Sequence, residues 1–462
     1  MSSVSRALEP LEARRFLSAG DVETTFGQNG VLTFNRRDVD SDVVAFDRNG
    51  NLLMAGRNSV MRITRTGAVD QTFGIGGKLD VGFRAAGIHV GSDGKIIVGG
   101  SIENRWIVAR FNPDWTPDVT FGDGGRRAVT VGAAETTASA SSLAIFPGGD
   151  IILAGKYLPD DPEWDIDYTH TALARFNSDG SVDNDFGGDG IVIGGSPHWS
   201  NEVRNVLAKP DGNVILLAHT WSGGHTNWPW LVEYDAKGES VNVGTEYGPI
   251  PQEYYGQYRG GTVRPDGAVV ISQSDYVVPP SRLFLNGRQI NVDFSPGVSA
   301  EEWAGPVTSD AWNRIIVAGH STRDNQDTLG VQRFTRDGLP DTSFGTNGSA
   351  SSGLPYDTEY VRAVAVAPDG DIVATAHLPG NDDFIMVRFD GGPRRRIVRP
   401  VIRPRYAPPT RASIAQTTVA ATATATTRQR ASAPVRTVSA APFSVTRVRQ
   451  SIAESEDRDP LR

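Results

Sequence analysis

The chain has 462 residues, no cysteine and a net charge of −9 that divides unevenly: residues 393–462 hold 14 arginines, no lysine and 4 acids. That segment carries +10, so residues 1–392 carry −19, an acidic body that argues against specific nucleic-acid binding. Without cysteine there is neither a disulfide framework nor a thiolate metal centre, and no apolar run approaches the roughly 18–20 residues needed to span a bilayer.

In chain order, residues 1–20 read as a leader. Arg6, Glu9, Glu12, Arg14 and Arg15 interrupt the apolar core that a standard secretory signal needs. A block of residues then returns seven times. It reads as an apolar strand, a Pro-Asp-Gly-like turn, a second apolar strand, a strand ending in Arg-Phe, and Asp-x-x-Phe-Gly. One copy runs through Ser92-Asp93-Gly94, Ile96-Ile97-Val98, Val108-Ala109-Arg110-Phe111 and Asp118-Val119-Thr120-Phe121-Gly122. Its Phe recurs at Phe26, Phe73, Phe121, Phe186, a degenerate Tyr247, Phe294 and Phe344, at intervals of 47 to 65 residues. Self-similarity at this period signals a closed or stacked array of one supersecondary unit.

The turn between the two apolar strands recurs at Asn49-Gly50, Asp93-Gly94, Gly148-Gly149, Asp211-Gly212, Asp266-Gly267, Trp312-Asn313 and Asp369-Gly370. Such pairs tolerate positive φ and favour two-residue hairpins, which makes neighbouring strands antiparallel. Each copy supplies four strands, here a to d. The expected fold is all-β, a seven-bladed β-propeller of four-stranded antiparallel blades over residues 21–391. A strand d at 31–34 precedes the first strand a at 43–46, and the last copy stops at its strand c, 384–389. Pairing 31–34 with 384–389 closes the ring and removes two sheet edges.

Segments such as Ala365-Val366-Ala367-Pro368-Asp369-Gly370-Asp371-Ile372-Val373 and Leu339-Pro340-Asp341-Thr342-Ser343-Phe344-Gly345 resemble the bacterial delta-60 repeat, which is similar in style to NHL-repeat propellers. The resemblance covers about residues 21–390 and implies a β-propeller. Separately, Arg6-Ala7-Leu8-Glu9-Pro10-Leu11-Glu12-Ala13-Arg14-Arg15-Phe16-Leu17 resembles the LEPR-XLL sorting element, although Leu11 stands where that element has Arg. It implies an exported or cell-surface protein.

In an up-and-down blade the a–b and c–d turns share one face, and the b–c and d–a connections share the other. The a–b turns are short and the c–d connections keep the Asp-x-x-Phe-Gly form. Length variation therefore gathers on the second face, in blades three to five: 156–169, 219–229 and 273–281 between b and c, with 194–202 and 249–257 between d and a. These stretches hold Trp164, Tyr168, His198, Trp199, Trp221, His225, Trp228, Trp230, Tyr254 and Tyr255. Aromatics on mounted loops suit sugar stacking, peptide anchoring or protein hot spots. The competing reading is that the loops bury their own tryptophans, because Trp228-Pro229-Trp230 runs straight into strand c.

The residue after strand b is Arg57, Ser101, Lys156, His219, Ser274, His320 or His377 in successive blades. His219, His320 and His377 form a candidate metal or anion set, opposed by the outward splay of propeller strands; hydrogen bonding at strand ends is the favoured reading. The carboxylates Asp179, Asp183, Asp185 and Asp189 lack the spacing of a calcium loop and read as turn caps. The arginines before the strand c aromatic repeat, which suits a scaffold.

No G-x-S-x-G elbow, H-E-x-x-H, Walker loop or post-strand G-x-G-x-x-G is present. The expected function is a non-catalytic exported or cell-surface propeller that binds a glycan, peptide or envelope protein through the aromatic loops, with no cofactor. The alternatives are a polysaccharide hydrolase or lyase using loop carboxylates, and a purely structural envelope protein. The Arg/Pro/Ala/Thr-rich segment 392–462 is expected to be disordered and to tether the body to an anionic polymer.

Overall fold

The computed structural model describes residues 18–35, 43–132, 137–159, 169–194, 200–222, 226–241, 256–275, 281–297, 301–323, 326–356, 360–378 and 383–392. The leader and the basic segment therefore lie outside the described residues, apart from 18–20 and Gly392. Strands form seven four-stranded sheets, each an antiparallel blade, and no helix occurs among the described residues. Blade one, for example, is Val43–Phe46, Leu52–Ala55, Ser59–Ile63 and Lys78–Asp80 in chain order.

Strand a of each blade lies innermost: Val43–Phe46, Arg84–Val90, Thr137–Ile145, Ser200–Ala208, Gly256–Val263, Glu301–Ser309 and Tyr360–Val366. Each packs against the strand a of the next blade, and that of blade seven packs back on blade one. Strand b opens on apolar residues in every blade because both its faces are covered. In blade one, Leu52 and Met54 enter the core shared with blade seven, whereas Leu53 and Ala55 enter the core shared with blade two.

The recurrent motif is a clamp between blades. Phe26, Phe73, Phe121, Phe186 and Phe344 are all buried, each in the core between two blades. The glycine after Phe turns its amide onto the next blade: Gly122 N donates to Asp179 O at 2.8 Å, Gly187 N to Lys237 O at 2.8 Å and Gly345 N to Ala19 O at 2.7 Å. At φ of +52°, a Cβ on Gly122 would lie 2.5 Å from Arg126 O, so only glycine fits. Arg110 sits over the Phe121 ring at 4.5 Å, donates Nε to Asp118 at 2.7 Å and reaches Ser178 O of the next blade at 2.7 Å. Burial opposes ionisation of Asp118, but Lys95, Thr120 and Arg110 outweigh it and hold its pKa well below the usual range.

The ring closes with the same parts. Val31 pairs with Val387 and Phe34 with Phe384, antiparallel, in the blade whose other strands are Ile372–His377 and Tyr360–Val366. Glu23 takes the motif's Asp position: its amide donates to Arg388 O at 2.8 Å, as Asp118 N does to Arg110 O at 2.9 Å. Because Glu23 is not the partner of the Arg388 side chain, Asp371 and Asp369 serve instead, at 2.9 and 3.3 Å.

Two expectations need correction. The a–b turns are not two-residue hairpins: Gly50 N donates to Asp47 O at 3.0 Å, and the five residues 47–51 separate the paired Phe46 and Leu52. Only Gly50 takes positive φ, because Asp47 Oδ1 accepts the Asn49 and Asn51 amides and props the wider turn. A two-residue hairpin with positive φ at both residues is instead Asn286-Gly287 in blade five, with φ of +46° and +78° between paired Leu285 and Arg288. It takes the place of the c–d clamp in that blade. Phe294 thus follows strand d instead of preceding it, and is no copy of the Phe-Gly element. Arg264 supplies the missing tie by donating to Asn313 O and Arg336 O of blade six. Tyr247, the degenerate copy, lies outside the described residues.

Candidate functional site

The seven inner strands enclose an axial cavity of about 1040 Å³. Its wall uses the starts and middles of the strands a, such as residues 84–88 and 202–205, and the later parts of strands b, such as Lys156, Ser274 and His320. That end of the ring is where the b–c and d–a connections attach. The wall is rich in glycine and serine because facing backbones approach closely near the axis: a Cβ on Gly87 would lie 2.4 Å from the Leu143 side chain.

Hydrogen bonds across blade boundaries shape this wall. Ser142 Oγ accepts the Val206 amide at 3.0 Å, Asn205 Oδ1 accepts the Gly261 amide at 2.9 Å, and Ser272 Oγ donates to Gly305 O at 2.7 Å. The three equivalent histidines take separate parts in it. His219 Nε2 accepts the Tyr258 amide at 2.8 Å, as Ser101 Oγ accepts the Ala140 amide at 3.1 Å two boundaries earlier. Burial, with Arg204 and Arg259 adding to it, pushes the His219 pKa down to about 3, so the ring stays neutral. His320 stacks on Trp303 with centroids 6.1 Å apart; burial lowers its pKa, against Asp327 and with Arg259. His377 is half-buried on blade seven. Among the described residues no three His, Asp or Glu side chains come together to hold a metal. Asp179, Asp183 and Asp189 cap turns or pair with Arg175, through Ser181 N at 2.8 Å, Arg175 Nε at 3.0 Å and Ile191 N at 3.0 Å.

The expected aromatic set falls mostly elsewhere. Trp164, Tyr168, His198, Trp199, His225, Tyr254 and Tyr255 lie outside the described residues. The 219–229 stretch is not a loop: strands Val214–Ser222 and Thr226–Tyr234 run through it, pairing Trp221 with Asn227 and Trp228 with Thr220. A β-branched and aromatic stretch prolongs the hairpin where length alone suggested an excursion. Trp230 packs against the core between blades three and four. The sequence reading missed the arginines of the cavity wall, Arg84, Arg204, Arg259 and Arg362, because they belong to no repeated motif.

Beside the wall, Glu302 accepts the Phe294 amide at 3.0 Å. Burial pushes its carboxyl up to about 7, the Phe294 amide pulls the other way, and Asp293 adds to the rise. The folded chain therefore binds a proton more readily than the unfolded one between pH 4.5 and 7. The stabilisation is complete below the ordinary value and is lost as pH climbs through 7. Glu302→Gln should remove that loss and raise stability at pH 8 by up to about 3 kcal/mol, with no gain at pH 4. Chemical denaturation at both pH values reads it; an equal effect at both would refute the assignment.

No curated protein sequence matches the chain. Solved structures similar to it include a protein of unknown function from Dyadobacter fermentans, at 12% identity, with 78% of this chain and 99% of that one covered and a TM-score of 0.39. Another, from Bacteroides caccae, shares 10% identity over 67% of this chain and 98% of that one, with a TM-score of 0.34. A mutant of Synechocystis apocarotenoid oxygenase shares 12% identity over 68% of this chain and 72% of that one, with a TM-score of 0.43. Likenesses at this level carry no functional weight. Residues 91–121, 164–186 and 313–344 match the profile of a family described as a domain of unknown function (DUF5122) beta-propeller, so these three segments are similar to that family in the very stretches that build its repeat.

Proposed function

We propose that the chain is a non-catalytic, exported or cell-surface β-propeller that binds a glycan, peptide or protein segment on the face where the b–c and d–a connections attach. The observation that supports the reading is the axial cavity, whose wall residues cluster at that end of the ring. The inserted, aromatic-rich stretches of blades three to five join strand ends on the same side. A rigid ring with variable connections on one rim is the arrangement that separates scaffold from recognition.

The test is a glycan and peptide array probed with the full chain, followed by Trp199→Ala, Trp221→Ala and Trp228→Ala. Binding should weaken about tenfold for at least one variant, the loss expected when a large aromatic contact is truncated. Array hits that all three variants retain at full strength would remove the aromatic stretches from the binding surface.

A further inference from the structure

The wall of the axial cavity carries more base than acid, in a body that is strongly acidic. Arg84, Lys156, Arg204, Arg259 and Arg362 lie on it, against Glu202, Glu301 and Asp327. Residues 1–392 have a net charge of −19, so this excess is local and set apart from the surface around it.

Three of the arginines are placed by one device. The register of strand a slips between Val203 and Asn205 in blade four, Tyr258 and Gly260 in blade five, and Val361 and Ala363 in blade seven. The extra residues are Arg204, Arg259 and Arg362. A bulge re-aims a side chain out of the ladder's alternation, here on the strands that form the wall. The same slip holds Ala86 in blade two and Ser141 in blade three, so the bulge recurs without a base.

Neighbours fix the arginines and occupy the acids. Arg259 donates Nε to Ser274 Oγ at 2.6 Å. Glu202 pairs with Arg204 at 3.2 Å, and Asp327 accepts the Thr322 hydroxyl at 2.6 Å. His219, held neutral by burial, adds no charge beside them. Planar guanidinium groups held in a walled cavity match the oxygens of a carboxylate or sulfate better than any neutral group does. The rest of the wall mixes Ser139, Ser141, Ser274 and Trp303 with short apolar residues such as Ala86 and Val364, and its exposed surface is more polar than apolar, which suits hydroxyl-bearing rings. Its volume, at the upper end for small-molecule sites, takes several such rings.

We infer that the axial cavity binds an acidic saccharide, with Arg204, Arg259 and Arg362 at the strand a bulges taking its carboxylate or sulfate groups. This rests on the binding function proposed above and adds the charge and class of the ligand.

Titration calorimetry of the full chain tests it with four probes: a uronic acid oligomer, a sulfated oligomer, their neutral parent and an oligoglutamate peptide. One or both acidic oligomers should bind at least about tenfold more tightly than the neutral parent, and more weakly as salt rises. Arg259→Gln and Arg362→Gln should each weaken that binding about tenfold, the worth of one charged hydrogen bond. Arg362 is exposed, so its variant will fold even if the Arg259 variant does not. Arg336→Gln, on a c–d turn of the opposite face, should change nothing. Equal binding of neutral and acidic oligomers, indifferent to Arg362→Gln, would overturn the anion assignment and leave the binding function standing. Arginine-dependent binding of the peptide alone would overturn the saccharide. Binding by none of these probes, with an empty array, would overturn both.

Discussion

Arg333→Ala is expected to lower the unfolding free energy by about 4 kcal/mol, at the level seen when one partner leaves a buried ion pair. Arg333 is 2% exposed. It donates Nε to Asp341 at 2.8 Å and Nη1 to Gly391 O of blade seven at 2.7 Å, and lies over the Phe344 ring at 4.4 Å. Alanine removes all of these together and leaves the Asp341 carboxylate, 9% exposed, without its main counter-charge. Arg333→Lys keeps the charge but not the fork, so it should cost roughly half as much. Arg333→Ala with Asp341→Asn should be less damaging than the sum of the two single changes, because the stranded charge is gone. Arg127→Ala is the control. Its pair with Asp123 is made at 2.7 Å, but that carboxylate is 78% exposed, and screening limits such pairs to about 1 kcal/mol or less. Urea unfolding with unchanged m-values measures all five variants, the single change Asp341→Asn included. Equal losses for Arg333→Ala and Arg127→Ala would show that the clamp does not hold blades six and seven.

The clamp explains what could be read in the sequence. Phe121, Gly122, Arg110 and Asp118 recur because each acts locally, within one connection and across one blade boundary, so a blade that keeps the clamp repeats nearly the same residues. Blade five was misread for the same reason. Asn286-Gly287 replaces the long connection, and Phe294 imitates the motif from the far side of strand d. The correct signal was present, since Asn-Gly between apolar strands is a hairpin signature. The cavity wall was not legible. Arg204, Arg259 and Arg362 stand at bulges that arise where seven inner strands converge, and stretches such as Gly260-Gly261 or Ala85-Ala86-Gly87 have no side-chain alternation to betray a slipped register. His219, His320 and His377 lie within strands b, each paired with strand a just before its bulge. Their burial, set by neighbouring blades, decides what they do.

Removing residues 1–35 should abolish cooperative folding of the body, whereas moving residues 19–35 to its other end should restore it. Truncation strips strand Val31–Asn35 from Asp383–Phe389 and takes away Phe26, which is 1% exposed in the core between blades seven and one. It uncovers a long apolar edge of the kind that pairs with other chains, so the product should elute as aggregate. The restoring permutant follows from the turn that joins strands c and d. In blade three that turn is residues 177–181, with Gly180 N donating to Asn177 O at 2.9 Å and Asn177 N to Ser181 O at 2.8 Å. At the closure, Gly20 N donates to Asp390 O at 2.7 Å and Asp390 N to Asp21 O at 2.8 Å. Joining residue 391 directly to residue 19 therefore rebuilds a turn of the same length, Asp390-Gly391-Ala19-Gly20-Asp21. A chain running 43–391 and then 19–35 should be monomeric, and should melt cooperatively within about 2 kcal/mol of residues 18–392, the difference arising from altered loop closure. Gel filtration and thermal unfolding compare the three chains. A truncated chain as stable as the permutant would mean that the ring does not need its N-terminal strand, since both lack the native connection and only one keeps the closing pair.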